Sequence, residues 1–396
     1  MTALIVICVL LLLSYLLDIS AQKTKIPAIF VLILIGIGLH QFAEVFYPEL
    51  DNLINVNMLL PVIGNLGLVL IVLEGSIELE LSRDKLSLIS KSFLIALLSI
   101  LLMAGILLYL INYLSVGYFS TKTLLLNIIP LTVISSAVAI PASKYMSLKI
   151  REFVIYESSL SDILGVLVFY FLLTNETINN NSFLQFGYDI LIMILISFII
   201  SAGLSLFLSR IHHHIKFIPI IIVIVLVYSI AKLYHLPSLI LILVFGLMLK
   251  NLEKLTHFEK LKSITQFIHP ETLSRELKKF EDIVNEFSFL IRTVFFLLLG
   301  YSLDISDILN TSSLQWSLLI ISVIYFVRTL LLMVFNLNIH PLLFISPRGL
   351  VSVLLFISIP LEQKLGIINN SVLIQVVLMS IIVMMIGSIF YKKEQI

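Results

Sequence analysis

An all-α, polytopic membrane fold is predicted by this sequence from three observations. Hydrophobic residues make up 60% of the 396 and charged residues only 12%, with a mean hydropathy of +1.12, whereas an ordinary soluble domain is roughly a quarter charged. The apolar residues come in repeated runs close to the roughly 20 residues that a helix needs to cross about 30 Å of hydrocarbon, not in the alternating ten-residue segments of a membrane barrel. Lys and Arg, finally, collect in alternate gaps between those runs, as they do in cytoplasmic loops.

Taken in order, the expected spans are 3–17, 26–46, 59–79, 92–114, 123–143, 153–173, 183–209, 217–235, 237–249, 286–303, 313–335, 339–360 and 372–391, thirteen in all. The first could pass for a signal peptide, but its basic residues, Lys23 and Lys25, follow it, so a retained helix is expected. With the N-terminus outside and the C-terminus cytoplasmic, nineteen of the 25 Lys and Arg lie on the inner side of a cell membrane. Lys122, Lys232 and Lys364 lie outside, and Arg292, Arg328 and Arg348 fall within spans. Segment 250–285 is the one long charged stretch, and its apolar residues recur at helical spacing, which predicts an amphipathic linker along the cytoplasmic face. The lone Cys8 excludes a disulfide framework within the chain. Net charge of +1 singles out no partner, and no nucleic acid is expected. The sequence contains no nucleotide-binding loop, HExxH, GxSxG or Cys/His metal spacing, so neither catalysis nor a cofactor is expected.

Two spans carry prolines in their interior, beyond the first turn. Span five has Pro130 and Pro141 around Thr132, Ser135 and Ser136; span twelve has Pro341, Pro347 and Gly349 around Arg348. Proline removes a donor and frees a carbonyl one turn earlier, and such backbone is tolerated at membrane depth only where protein or a water-filled cavity receives it. Two proline kinks satisfied by packing are one reading, and a site at the breaks is the other. The second gains from a faint repeat: LEGSIELEL (73–81) is echoed by LLGYSLDIS (298–306), and the two broken spans lie seven apart, so that each pair has opposite orientation. Inverted repeats with interrupted helices are how many secondary transporters are built.

Span six carries the costliest residues. Glu157 and Asp162 are five apart, roughly 140° around a helix, while Ser158 and Asp162 share a face. A carboxylate beside hydroxyls and freed carbonyls of span five is an oxygen shell suited to a hard monovalent cation; a neutral, hydrogen-bonded buried acid is the alternative. Arg328, too deep in span eleven to snorkel, needs a buried anion, and Glu157 is the candidate. Arg348 is placed to hold carbonyls and a carboxylate at the second break, and Arg292 to reach the inner surface. Glu74 and Glu78 read as interfacial before functional, and His212, His213 and His214 as a solvated loop before a metal or pH-sensing site.

These residues sit in stretches that resemble a known family. ESSLSD (157–162) is similar to the ESLLND signature of the monovalent cation:proton antiporters, of the Na+/H+ exchanger type. LVLIVLEGSIELEL (68–81), FFLLLGYSLD (295–304), YFVRTLL (325–331) and SPRGLVSVLL (346–355) resemble its other signatures in the same order. The resemblance implies a homodimer of thirteen-helix protomers. Residues 1–91 would hold dimerisation helices one to three, 92–182 core helices four to six, 183–216 a linking helix, 217–303 helices eight to ten, and 304–396 core helices eleven to thirteen. It implies Asp162 as the carrier of cation and proton, with Ser158 a ligand and Glu157 the partner of Arg328. Ser135 falls where the family's crossing helix has Thr, and Ser136 and Ser161 stand where it has Asp and Asn. The expected function is antiport of Na+, with K+ or Li+ as alternatives, against H+, electroneutral and one for one. A gated cation channel or K+ efflux pathway on the same scaffold is the alternative reading.

Overall fold

The computed structural model describes residues 2–24, 27–46, 56–79, 83–115, 119–144, 146–175, 179–210, 217–234, 236–256 and 270–391. Its helices are α1 (Thr2–Thr24), α2 (Ala28–Phe46), α3 (Val56–Glu78), α4 (Leu86–Leu114), α5 (Thr121–Thr132), α6 (Ser136–Ser143), α7 (Leu148–Thr174) and α8 (Asn180–Arg210). There follow α9 (Phe217–Leu233), α10 (Leu239–Thr256), α11 (Pro270–Tyr301), α12 (Ile305–Ile308), α13 (Thr311–Val334), α14 (Ile339–Leu342), α15 (Leu350–Ile357) and α16 (Asn370–Phe390). Among the described residues there is no strand, and nine helical segments are long and apolar enough to cross a membrane, with Cys8–Leu17, Phe217–Leu233 and Leu239–Asn251 as shorter apolar helices. Helix occupies part of every expected span. The protein is an all-α, multi-pass membrane protein.

Local chemistry sets the boundaries. Ser120, Asn310 and Asn369 each cap a helix start with a side-chain oxygen, accepting from Thr123 N (3.1 Å), Ser312 N (3.1 Å) and Val372 N (3.0 Å). Segment 250–285, expected as a helical linker, contains the ends of two helices. Residues 250–256 continue α10, 257–269 lie outside the described residues, and 270–285 are the opening turns of α11. Pro270 suits a first helical position, where its missing N–H costs nothing. Phe280, Val284 and Ser288, at four-residue intervals, carry one buried stripe straight into the span. At 32 residues, α11 is about 48 Å long. The triple-histidine loop also lies outside the described residues.

The chain forms two compact units, Met1–Gly67 with Lys91–Phe169 and Leu290–Ile396, and Leu68–Ser90 with Tyr170–Phe289. In the second unit, α8 packs along α10. The Phe280 ring lies 6.1 Å from Phe217 and 6.2 Å from Phe245, and Lys250 reaches Glu281 at 3.6 Å. Ser76 on α3 donates to Ile242 O (3.4 Å), and Gly246 leaves room for it. In the first unit, α13 runs along α16, α15 against α5 and α1 against α2. The α2 and α11 backbones meet at Gly36 and Gly300, where a Cβ on Gly36 would stand 2.8 Å from the Gly300 Cα, closer than side chains pack. Fully buried Asn127 ties α5 to the 361–365 segment. Its Nδ2 donates to Thr123 O and Gln363 O (both 2.8 Å) and its Oδ1 accepts from Leu365 N (3.2 Å).

Candidate ion-binding site

Helix α5 stops at Thr132, Val133 to Ser135 run extended, and α6 starts at Ser136. A break in a buried helix strands backbone groups, and each must find a partner elsewhere. Here the partners are the candidate residues. The Ile134 N–H donates to Ser161 Oγ (3.0 Å), the Ser135 N–H to Pro347 O (2.9 Å), and the Ser136 N–H to Asp162 Oδ2 (3.1 Å). The Leu131 carbonyl, which an unbroken helix would pair with the Ser135 N–H, accepts instead from Arg348 Nε (2.8 Å). Pro141 has no N–H to offer the Ala137 carbonyl four residues back, and that carbonyl accepts from Arg292 Nη1 (3.2 Å).

The second break spans residues 343–349, between α14 and α15, and two arginines hold it. Arg328 donates to Leu342 O from Nε and Nη2 (both 3.1 Å) and to Ile345 O from Nη2 (3.3 Å). Arg348 Nη1 donates to Ser346 O and Ser346 Oγ (both 3.0 Å), and its Nη2 meets Met103 Sδ at 3.4 Å. The Arg348 N–H goes to Ser380 Oγ on α16 (2.9 Å). The extended pieces touch through Ser135 and Pro347, and Gly349 leaves space for Ser135: a Cβ there would lie 2.8 Å from Ser135 Oγ.

Glu157 and Asp162 of α7 face this crossing and are 1–2% exposed. Glu157 forms a two-pronged ion pair with Arg328, through Nη1 to Oε1 and through Nη2 to Oε2 at 2.8 Å. The fork fits a guanidinium to a carboxylate. Asp162 Oδ2 accepts from both the N–H and the hydroxyl of Ser136, at the N-terminal end of α6, where the helix dipole favours negative charge. Its Oδ1 is buried and has no hydrogen-bond partner, and the same holds for Ser135 Oγ. No basic side chain is within ion-pairing distance of Asp162 among the described residues.

The structure thus brings Ser135, Ser136, Ser161, Asp162 and Arg348 together at the first break, and Glu157 with Arg328 beside the second. Ser158 and Thr132 turn their protons elsewhere, Ser158 Oγ to Val154 O (2.7 Å) and Thr132 Oγ1 to Ile129 O (2.8 Å), so each could offer a ligand only a lone pair. Arg348 holds carbonyls, as expected; the carboxylate expected beside it is not among its hydrogen-bond partners. Arg292, expected to reach the inner surface, is half-buried and also donates to Ala137 O, the carbonyl that Pro141 leaves without its helical donor. Sequence reasoning missed Ser380, a single serine in an apolar run, whose only signal was polarity.

The sequence matches the family described as "Sodium/hydrogen exchanger, transmembrane" over residues 8–392. Among solved structures, it is similar to the sodium proton antiporter MjNhaP1 from Methanocaldococcus jannaschii. For the structure at pH 8 the identity is 18% and the TM-score 0.69, covering 98% of this chain and 99% of that one. For an electron-microscopy map of the same antiporter the values are 17% and 0.68, covering 100% and 99%. At such identity the likeness is one of fold. No curated protein matches the sequence. With the family's profile matched from near the first residue to near the last, and a shared fold across the whole length, the chain belongs to the sodium/hydrogen exchanger transmembrane family.

Proposed function

We propose that the protein exchanges one monovalent cation, Na+ before K+ or Li+, for one proton by alternating access, with Asp162 as the single carrier. The observation that carries this reading is the unequal treatment of the two buried acids. Glu157 is fully engaged by Arg328, whereas Asp162 keeps one buried oxygen with no partner. A bare buried charge is costly, so such a carboxylate is best neutralised by a proton or by a cation. The two loaded forms carry the same charge, which favours an electroneutral cycle.

In this reading Asp162 and Ser135 hold the cation, with lone pairs of Ser158 and Ser161 in reach of the shell. Ser136 orients the carboxylate, Glu157 and Arg328 form a fixed pair, and Arg348 and Thr132 support the breaks. Support for Na+ and H+ as the exchanged ions comes from family membership and from the sodium proton antiporter of like fold. We place the protein in the cell membrane as a homodimer with its N-terminus outside, as the distribution of Lys and Arg supports for orientation.

The test is a cation-induced pH change in proteoliposomes with Na+, K+ and Li+ in turn. Asp162→Asn is expected to abolish exchange while the protein stays folded and monodisperse. A folded Asn variant that still exchanges removes Asp162 from the mechanism. Currents far above carrier turnover would favour a channel.

A further inference from the structure

Immediately after the second break, α15 turns two leucines toward α3 and α11. Leu350 and Leu354 are one helical turn apart, and opposite them stand Gly67 and Gly64, also one turn apart on α3. A Cβ on Gly64 would lie 3.1 Å from Leu354 Cγ and 3.1 Å from Phe295 Cε2. A Cβ on Gly67 would lie 3.2 Å from Leu350 Cδ1 and 3.2 Å from Ile291 Cγ2. The glycines are therefore notches, each filled by one leucine, with Ile291 and Phe295 of α11 as the flanking wall. Leu350, Leu354 and Phe295 are at most 5% exposed, so the contact is dry.

This contact adjoins the candidate ion site through one residue. Gly349, next to Leu350, packs on Ser135 Oγ, and Ser136 holds Asp162. From there α15 runs toward the end of the membrane reached by the start of α3 and the end of α11, the outer side by the Lys and Arg distribution. An apolar, close-packed contact admits no hydrated ion, and a helix cannot slide past another while two side chains are seated in its backbone.

We propose that Leu350 and Leu354 in the notches of Gly67 and Gly64 are a two-tooth outer gate, which must unseat in every transport cycle for the Asp162 site to reach the outside. The inference rests on the antiport reading and adds to it the residues that close one side. Glycine at both notches lets the teeth leave and re-enter without a side chain to climb over.

A disulfide tests this. The 3.1 Å from a residue-64 Cβ to the Leu354 Cγ position is close to the roughly 3 Å between a Cβ and the far sulfur of a disulfide. The variant is Gly64→Cys with Leu354→Cys, in a Cys8→Ala parent and in proteoliposomes. Oxidation is expected to consume both thiols and to lower exchange more than about tenfold, because a conformational step is blocked, with recovery on reduction. Exchange at the parental rate in the cross-linked protein would overturn the gate, and so would two thiols that stay reactive after oxidation. A parent that exchanges no ion for protons would instead sink the functional reading on which the gate rests. Should the reduced double variant be silent, Leu350→Ala with Leu354→Ala decides. A raised passive Na+ leak is expected, and tight, fully coupled exchange would overturn the proposal.

Discussion

Arg328 and Glu157 lie on α13 and α7, each almost wholly removed from solvent, and the arginine also carries two carbonyls of the second break. Removing one member leaves an uncompensated buried charge, so Glu157→Gln or Arg328→Met alone is expected to cost about 3–5 kcal/mol of stability. Both changes together should lose less than the sum of the two. Thermal unfolding in detergent reads this cycle, and strictly additive losses would show that the pair is energetically independent. Ser136 is a different case, since its N–H stays in place when the side chain is truncated. Ser136→Ala should keep the fold but remove one of the two donors to Asp162 Oδ2 and move the Na+ concentration profile of exchange, because the carboxylate is then held in place by one hydrogen bond instead of two. An unchanged profile would mean that this hydroxyl does not act on the carrier. At this scale much is legible in the amino-acid sequence. Asp162, Glu157 and Arg328 stand out because charge in an apolar run demands a reason. The direction of a hydroxyl proton has no such signal, and Ser158 and Thr132, which donate to their own helices, look in sequence no different from Ser136.

Among the elements, the two broken helices decide the site, and the prolines announce them. What the prolines do not announce is where each freed group goes, because the acceptors and donors come from residues far away in sequence. Pro141 leaves Ala137 O to Arg292, which is 155 residues distant. Arg292→Ala is therefore expected to leave that buried carbonyl without its donor, at about 1–3 kcal/mol, and to slow exchange without altering the choice of ion. A variant with parental stability and rate would show that water serves the carbonyl as well. Asn127 poses the same question at the other end of α5, where three hydrogen bonds converge on one amide. Asn127→Leu, which leaves Gln363 O and Leu365 N unmatched, should destabilise by about 1–3 kcal/mol; parental stability in thermal unfolding would contradict the account. The length of α11 was hidden for a related reason. Charged residues at 275–282 suggested a surface linker, but the buried stripe through Phe280 and Val284 belongs to the same helix that enters the membrane.

For the whole molecule, the buried charges constrain what can move. Glu157 cancels Arg328, and Arg348, held by carbonyls, is a constant positive charge. Of the two acids buried among the described residues, Asp162 is the one with an oxygen that has no hydrogen-bond partner, so in the proposed cycle the loaded site has one net charge whether proton or cation is bound. Carrying one elementary charge through the membrane field is worth about 2.3 kcal/mol per 100 mV. An electrogenic cycle would therefore respond steeply to voltage, and a one-for-one cycle on a single carboxylate would not. The direct test uses proteoliposomes with equal pH and equal Na+ on both sides and a diffusion potential set by a permeant anion, so that no competing cation is introduced. The account predicts no accumulation of Na+ under voltage alone, with exchange restored when a pH gradient is imposed. A steady Na+ gradient built by voltage at equal pH would contradict it, because a second charge would then have to move alongside Asp162.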